Sequence, residues 1–256
     1  MANKKILLAG ESWVTTATHI KGFDQFPTVT FHLGATGFLE ALKDLPYDFT
    51  YMPCHQAQTE FPNTAEGLNA YDAIILSDIG ANTLLLHPDT WIHSRPTPNR
   101  LFALKDYVAQ GGGLAMIGGY LSFQGINGSA RFKNTPVEDV LPVTMLATDD
   151  RIEVPEGLRP EQVGGHPILE GVGGEWPMVL GFNEVAAKPD ATVLAHAGAA
   201  YRNLPIIAVG EHGRGRSLVW TSDIGPHWLP AEVLRWPHFA RLWGQMLDWL
   251  TGAPAG

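Results

Sequence analysis

Short apolar runs alternate with amphipathic stretches over the first 120 residues of the chain. Strands are predicted at the apolar runs Lys4–Gly10, Tyr47–Met52, Tyr71–Ser77 and Leu114–Ile117. Helices are predicted where apolar residues recur at spacings of three and four, in Gly37–Leu45 and in the stretch from residue 100 to 110. This alternation predicts an α/β protein with a doubly wound, mostly parallel sheet and helices on both faces.

The helix that begins near residue 100 leads into a turn of special interest. Asn99 can cap its first turn, and Gly111 can end it. The buried strand Leu114–Ile117 follows, and Gly118-Gly119-Tyr120 then form a sharp turn. In several α/β enzyme families such a turn carries the catalytic nucleophile, but here it offers glycine and tyrosine.

The second half of the chain has a different pattern. Residues 126–175 are rich in glycine, proline and polar residues, which predicts a loop-rich insertion. Later apolar segments predict further strands, and His212-Gly213-Arg214-Gly215-Arg216 between two of them predicts a hairpin, hence an antiparallel extension of the sheet. Phe239–Leu250 has the apolar stripe of a helix that docks on the sheet. No segment has the composition of a linker, so one domain over residues 1–256 is predicted.

Composition and charge exclude several classes of partner. The 256 residues are 45% hydrophobic and 17% charged, which is typical of a globular protein. The net charge of −9 argues against a nucleic acid or an anionic membrane as the main partner. The longest apolar runs are far shorter than the ~20 residues that span a bilayer. The apolar part of the N-terminal segment is too short for a secretion signal, so a cytoplasmic location is expected.

Polar residues follow the predicted parallel strands, where open α/β sheets bind their ligands. Two of these loops share Ser-Asp-Ile-Gly, at residues 77–80 and 222–225, a sequence that suits two tight turns, with a shared polar pocket as the alternative. The residues predicted to bind a ligand are Glu11, Ser12, Lys21, Asp78, Asn82, Gly119, Tyr120 and Gln124. The predicted ligand is a small polar metabolite.

Hydrolase-type chemistry would need three further residues. His227 is the candidate general acid or base, and Asp223, four residues earlier, could orient its imidazole. Ser122 is the nearest hydroxyl nucleophile, with the amides of Gly119 and Tyr120 as an oxyanion site. An ordinary polar loop is the alternative for all of them. Cys54, the only cysteine, is a second candidate nucleophile or a small buried side chain.

No metal or cofactor is predicted. The ten histidines lack the helical spacing of known zinc motifs. Gly111–Gly113 precedes its strand, whereas a dinucleotide-binding motif follows one. Five of the eight tryptophans lie in the last 37 residues, a pattern typical of a core and, second, of a subunit interface. A homo-oligomer is therefore expected.

Taken in order, the motifs resemble a known family. They are Gly-Glu-Ser-Trp at 10–13, Lys-Gly-Phe-Asp at 21–24, Tyr-Asp-Ala-Ile-Ile-Leu-Ser-Asp-Ile-Gly at 71–80, Gly-Gly-Gly-Leu at 111–114, His-Pro-Ile-Leu at 166–169 and Gly-Arg-Ser-Leu-Val-Trp-Thr-Ser-Asp at 215–223. The chain resembles the "putative glutamine amidotransferase" proteins of the class I glutamine amidotransferase-like superfamily, which includes the ThuA-like proteins. The resemblance covers nearly the whole chain and implies a flavodoxin-like fold.

The activity implied by the superfamily name needs residues that this chain lacks. Its working members have a cysteine at the turn after the strand that ends here at Ile117, and a histidine followed two residues later by glutamate. This chain has Gly118 and Gly119 at the turn, and Leu229 stands two residues after His227. Cysteine-dependent glutamine hydrolysis is therefore not expected. The alternatives are a metabolite-binding protein with non-cysteine hydrolase-type chemistry, and a non-catalytic sensor or oligomeric scaffold.

Overall fold

The computed structural model describes residues 3–252, and a central eight-stranded sheet organises them. The strands of the chain are β1 (Lys4–Gly10), β2 (Ser12–Lys21), β3 (Asp24–Leu33), β4 (Tyr47–Met52), β5 (Ala73–Ser77), β6 (Gly113–Ile117), β7 (Val143–Met145), β8 (Arg151–Leu158), β9 (Glu161–Gln162), β10 (Val179–Asn183), β11 (Val185–Ala187), β12 (Thr192–His196), β13 (Pro205–His212) and β14 (Gly215–Trp220). The helices are α1 (Thr36–Leu42), α2 (Cys54–Glu60), α3 (Ala65–Leu68), α4 (Ala81–Leu85), α5 (Pro88–Trp91), α6 (Arg100–Ala109), α7 (Pro136–Val140), α8 (Ala231–Leu234) and α9 (Phe239–Leu250).

The order of the strands identifies the sheet as flavodoxin-like. The sequence of neighbours is β4-β1-β5-β6-β14-β13-β12-β9, and the first five strands run parallel. Numbered along the chain, these five have the order 2-1-3-4-5, which places the reversal of strand order between β1 and β5. The predicted doubly wound, mostly parallel α/β sheet is confirmed.

Both faces of the parallel strands are buried, as their apolar sequences require. In β1, Ile6 and Leu8 face one core cluster, and Leu7 and Ala9 face the other. Helices α1 and α9 cover the first face, while α2, α4 and α6 cover the second. Asn99 caps α6 as predicted, since its Oδ1 accepts the Leu101 amide at 2.9 Å.

The antiparallel extension was also predicted correctly. Strands β13 and β14 form a hairpin, and β12 and β9 continue the sheet beyond it in antiparallel pairings. Three of the five C-terminal tryptophans, Trp220, Trp228 and Trp243, are buried, so they belong to the core rather than to an exposed interface. Residues 126–175 contain α7 and β7 to β9, and are more regular than the loop-rich insertion that their composition predicts.

The largest difference from the sequence-based expectation follows β1. Residues 12–24 were expected to be a loop at the sheet edge. Instead, β2 and β3 pair along their full ten-residue lengths, from Ser12 opposite Leu33 to Lys21 opposite Asp24. Every residue from 14 to 31 is exposed, so this hairpin projects from the body of the protein. We call Ser12–Leu33 the arm.

A buried arginine ties three helices of one layer together. The guanidinium of Arg100, at the start of α6, donates to the carbonyls of Gln58 at 2.9 Å, Thr59 at 3.2 Å and Leu84 at 3.3 Å. The first two are in α2 and the third is in α4. These carbonyls lie near the ends of short helices, where main-chain acceptors lack partners within the helix. Arg100 therefore fixes the helical layer beneath the candidate site.

In residues 3–252 no helix is both long and apolar enough to cross a membrane.

Replacing Arg100 by methionine should lower the free energy of unfolding by about 2–4 kcal/mol, because buried carbonyls would lose their donors. Urea denaturation measures this loss. Arg214→Met is the matched control, because Arg214 donates to a single carbonyl in an exposed position. Its cost should stay within about 0.5 kcal/mol. Equal effects of the two substitutions would show that the burial of Arg100 contributes nothing.

Candidate functional site

The reversal of strand order brings two acidic residues together. Glu11 directly follows β1 and Asp78 directly follows β5, the two strands on either side of the switch point. Gly10 lies opposite Ser77 in the pairing of these strands, so the two loops start at the same level. In open α/β sheets the crevice at this point is the usual place for a ligand. Asp223, just after β14, is the third acidic residue at this edge.

The Glu11 carboxyl is almost completely buried. Oε2 of Glu11 accepts a hydrogen bond from the Ser77 hydroxyl at 2.6 Å. The main-chain carbonyl of Glu11 accepts one from the Tyr51 hydroxyl at 2.7 Å. A side chain at Gly225 would overlap with Oε1 of Glu11, so glycine is needed there. Burial, followed by the negative charge of Asp78, raises the pKa of Glu11 from 4.5 to about 8. Near neutral pH this carboxyl therefore holds a proton.

The pKa values of the two aspartates are raised as well. Asp223 is buried, and its Oδ1 accepts the amides of Ile224 at 2.7 Å and Gly225 at 2.9 Å. Burial, followed by the charges of Glu11 and Asp78, raises the pKa of Asp223 well above its ordinary range. Burial also raises the pKa of the partly exposed Asp78, whose Oδ1 accepts the Leu121 amide at 2.6 Å. We call Glu11, Asp78 and Asp223 the carboxyl cluster.

Unusual backbone conformations occur at the same place. Glu11 has φ of 47°, Asp78 has φ of 43° and His227 has φ of 129°. Positive φ is uncommon for residues other than glycine, and such strain persists only where the surrounding structure holds it. Seven other non-glycine residues of the described chain also have positive φ, so these conformations accompany the site without identifying it.

Aromatic rings form one side of the site. The His227 ring stacks on Tyr120, with centroids 5.1 Å apart and an angle of 18° between the planes. Trp13, at the root of the arm, lies against the same imidazole at 5.7 Å and stacks on His32 of the arm at 5.0 Å. Nδ1 of His227 lies 4.0 Å from Oδ2 of Asp223, and the histidine side chain is 43% exposed. The His227 imidazole is therefore accessible to solvent and lies beside the carboxyl cluster.

Tyr120 is fixed by a second set of polar contacts. Its hydroxyl donates to Oε1 of Glu153 at 3.1 Å, and the indole of Trp228 donates to Oε2 of the same glutamate at 2.9 Å. The guanidinium of Arg151 lies 5.0 Å from the centre of the tyrosine ring. Burial, followed by the charge of Glu153, raises the pKa of Tyr120, so its hydroxyl stays protonated and serves as a donor.

The glycine turn has no room for a nucleophile. A Cβ at Gly118 would overlap with the main-chain carbonyl of Thr221 in the adjacent strand end. At Gly119 a Cβ would lie 2.9 Å from Oδ1 of Asp78, and the φ of 146° disfavours any other residue. The Gly119 amide donates to Oδ1 of the buried Asn183 at 3.0 Å. Asp78 and the neighbouring strand therefore occupy the space where related enzymes place their cysteine.

The structure places the other sequence-predicted residues in different roles. Ser122 is buried and its Oγ accepts the Asp78 amide at 3.1 Å. Gln124 bridges its own loop, where its side chain bonds to Gly128 and Lys133. Asn82 is exposed on α4. Lys21 lies at the tip of the arm, far along β2 from Ser12, because the loop expected there is a hairpin.

Cys54 and Ser12 lie beside the cluster. The Cys54 amide donates to Oγ of Ser12 at 2.8 Å, and its Sγ lies 3.7 Å from the carbonyl oxygen of Asp78. Burial is the largest cause that raises the pKa of this thiol, and the charges of Asp78 and Glu11 act in the same direction. A protonated thiol is a poor nucleophile. Cys54 is thus placed at the site without the activation that catalysis by cysteine needs.

Several residues of the site were missed in the sequence. Trp13, Ser77, Tyr51 and Glu153 contact the sequence-predicted site residues, yet only Trp13 and Ser77 adjoin a predicted loop. The shared Ser-Asp-Ile-Gly was the available signal, because it supplies Ser77 and Asp78 from one loop and Asp223 and Gly225 from the other. Among the residues described, no three acidic, histidine or cysteine side chains are arranged to hold a metal ion.

Comparison with known proteins gives a family and a fold. The sequence model of the family described as "Putative glutamine amidotransferase" matches residues 5–252. Two cytoplasmic proteins of Salmonella typhimurium, STM3548 and STM1381, are each 42% identical to this chain, with TM-scores of 0.90. The alignments cover 96% of this chain and 98% and 99% of theirs.

More distant likenesses concern the fold alone. A ThuA-like protein from Parabacteroides merdae has a TM-score of 0.60 at 10% identity, with 99% of this chain and 92% of that chain covered. This agrees with the resemblance to ThuA-like proteins in the sequence. None of the curated proteins searched matches this sequence.

Gly118→Cys should destabilise the protein by about 3 kcal/mol, because the new side chain would overlap with the Thr221 carbonyl. Urea denaturation measures the loss, and assays of ammonia release from glutamine should show no gain over the wild type. Gly165→Cys is the matched control, because nothing lies within 4 Å of a Cβ at that position. A stable Gly118→Cys variant that hydrolyses glutamine would contradict the steric argument.

The raised pKa of Glu11 predicts a pH dependence of stability. Between pH 4.5 and about 8 the folded chain binds a proton at Glu11 that the unfolded chain releases, so the free energy of unfolding falls as the pH rises. Glu11→Gln removes this titration. As the pH rises from 5 to 8, the free energy of unfolding of the variant should therefore increase by roughly 1–4 kcal/mol relative to that of the wild type.

Denaturation curves of both proteins at pH 5, 6.5 and 8 isolate the contribution of Glu11 and of the groups coupled to it, because titrating groups elsewhere cancel in the difference. Glu232→Gln, at an exposed position on α8, is the control and should track the wild type at every pH. A constant difference between Glu11→Gln and the wild type across this range would show that Glu11 ionises normally.

Proposed function

The chain belongs to the glutamine amidotransferase-like family, and we propose that it binds a small polar metabolite at the carboxyl cluster. The observation that carries this proposal is the grouping of Glu11, Asp78 and Asp223 at one edge of the sheet, where Glu11 and Asp223 are buried, Asp78 is partly exposed and all three pKa values are raised. Holding three carboxyls together in this way costs stability, and the cost is typical of binding and catalytic sites. A purely structural role would be served better by apolar side chains.

The chemistry of the site indicates the kind of ligand. A protonated carboxyl both donates and accepts hydrogen bonds, and Tyr120 and His227 add a hydroxyl and an imidazole at the same edge. His227 stacks on Tyr120 and Trp13 lies tilted against His227, so the three rings provide an aromatic side. A compact ligand with several hydroxyl, amide or amine groups suits such a mixture of polar floor and aromatic wall.

The same groups support proton transfer rather than covalent catalysis. Glu11 has a pKa of about 8, so it can release and regain a proton near neutral pH. His227 lies beside Asp223 and is open to solvent, so it connects the cluster with water. Ser122 and Cys54 are poor nucleophiles here, the first because of its burial and the second because of its raised pKa. General acid–base chemistry on the bound metabolite is therefore the activity we propose.

Cysteine-dependent glutamine hydrolysis is not part of the proposal. The turn after β6 is filled by Asp78 and Thr221, and Leu229 stands where the superfamily places glutamate. A cytoplasmic location fits the proposed metabolite ligand, and the descriptions of the two Salmonella relatives support it.

A thermal-shift screen of small polar metabolites tests the binding site. A ligand at about 100 times its dissociation constant adds about 2.7 kcal/mol of stability, which corresponds to a rise in Tm of several degrees for a chain of this size. Each variant's shift is measured against its own unliganded Tm. Glu11→Gln and His227→Ala should lose most of the shift, because they change the floor and the wall of the site.

Glu232→Gln and His93→Ala are the matched controls, since both change the same residue types at exposed positions away from the cluster. They should keep the full shift. Hits that shift Glu11→Gln and His227→Ala as much as the wild type would place the ligand elsewhere. A hit that binds at the cluster but is never converted would favour the sensor alternative over an enzyme.

A further inference from the structure

We propose that one face of the arm is the surface through which two copies of this chain associate. Opposite residues of an antiparallel pair point to the same face of the ribbon, and successive residues alternate between faces. The pairing of β2 with β3 therefore divides the arm into two faces of ten residues each. We call the two sets the uncharged face and the mixed face.

The two faces differ in chemistry. The mixed face contains both charged residues of the arm, Lys21 and Asp24, at its tip, and its histidines His19 and His32. The uncharged face has no ionisable side chain. Its members are Ser12, Val14, Thr16, Thr18, Ile20, Gln25, Pro27, Val29, Phe31 and Leu33. Five of these ten are large apolar residues.

Nothing within residues 3–252 covers most of the uncharged face. Ile20 is 72% exposed, Val29 is 69% exposed and Val14 is 59% exposed. Only the root of the face meets the body, where the Phe31 ring lies edge-on to His55 at 5.0 Å. A two-stranded ribbon without a covering layer is marginally stable in water. Exposed apolar patches of several hundred Å2 mark interaction sites.

Charge favours a second copy over an anionic membrane as the occupant. The chain has a net charge of −9, so two copies repel each other over most of their surfaces. The uncharged face is a place where identical acidic chains can meet without opposing like charges. An anionic membrane would instead need basic residues, and Lys21 is the one lysine or arginine in the arm.

The size and shape of the face also suit a symmetric contact. Ten residues per strand make a ribbon about 33 Å long. Nine of the ten residues of the face are exposed, and together they offer an area on the order of the roughly 800 Å2 that each partner buries in a standard interface. In a two-fold contact the same patch serves both partners, so a self-complementary apolar ribbon is sufficient.

Sedimentation equilibrium from about 0.1 to 100 μM tests the proposal. The wild type should show a mass at least twice 27.8 kDa. Val14→Glu with Val29→Glu places two acidic charges on the uncharged face and should weaken association at least tenfold. Ala17→Glu with Thr30→Glu is the matched control, because it adds the same charges to the mixed face, and it should associate as the wild type does.

A wild type that is monomeric at every concentration would overturn the proposal and point to another protein or a lipid surface as the occupant. Equal dissociation of both double variants would overturn it as well, since charge alone would then explain the effect. Circular dichroism and Tm must match the wild type for each variant, because the arm lies outside the core.

Crosslinking tests the same face without adding charge. Cys54→Ser removes the only cysteine, and Val29→Cys or Thr30→Cys then places one thiol on the uncharged or the mixed face. A short bis-maleimide should join Val29→Cys chains into covalent dimers in high yield and Thr30→Cys chains at least fivefold less. Equal yields from the two faces, or none from Val29→Cys, would contradict the assignment.

Discussion

The hydrogen bond from Ser77 to the buried Glu11 carboxyl is the interaction around which this edge of the protein is arranged. It joins the ends of β1 and β5, the two strands at which the sheet reverses its order. Burial keeps this carboxyl protonated near neutral pH. The Ser77 hydroxyl therefore bonds to a neutral group rather than to a charge that would need water around it. Burial also raises the pKa values of Asp78 and Asp223, and for Asp223 the charges of Glu11 and Asp78 add to the effect.

Much of this arrangement could be predicted because burial leaves a clear pattern in the sequence. The parallel strands have apolar runs that can only be buried on both faces, and the rule that ligands bind beyond such strands selected Glu11, Asp78, Tyr120, Asp223 and His227. The arm could not be predicted in this way. Its strands bury neither face within the chain, and their threonines and histidines interrupt the alternation that identifies a half-buried strand. Lys21 was therefore assigned to a loop near Glu11, although it lies at the far end of a hairpin.

The direction and packing of a side chain were equally beyond the sequence. Ser122 and Gln124 follow a parallel strand, as ligand-binding residues do, yet both bond to their own loop or its neighbour. The missing cysteine has a physical cause that one sequence cannot show. Asp78 comes from another strand and the Thr221 carbonyl from a third, and together they fill the space beside Gly118 and Gly119. Family membership thus identifies the architecture, while the contents of this turn determine which chemistry is open to it.

Trp13 belongs to two parts of the protein at once. Its ring stacks on His32 within the arm and lies against His227 in the wall of the site. A displacement of the arm that moves this indole also moves the wall against which a ligand would rest. Linkage between the two sites is reciprocal. If a contact along the arm raises the affinity for the ligand, the bound ligand strengthens that contact by the same factor. If the chain associates through the arm and binds a metabolite at the carboxyl cluster, as proposed, the root of the arm is where the two equilibria would be linked.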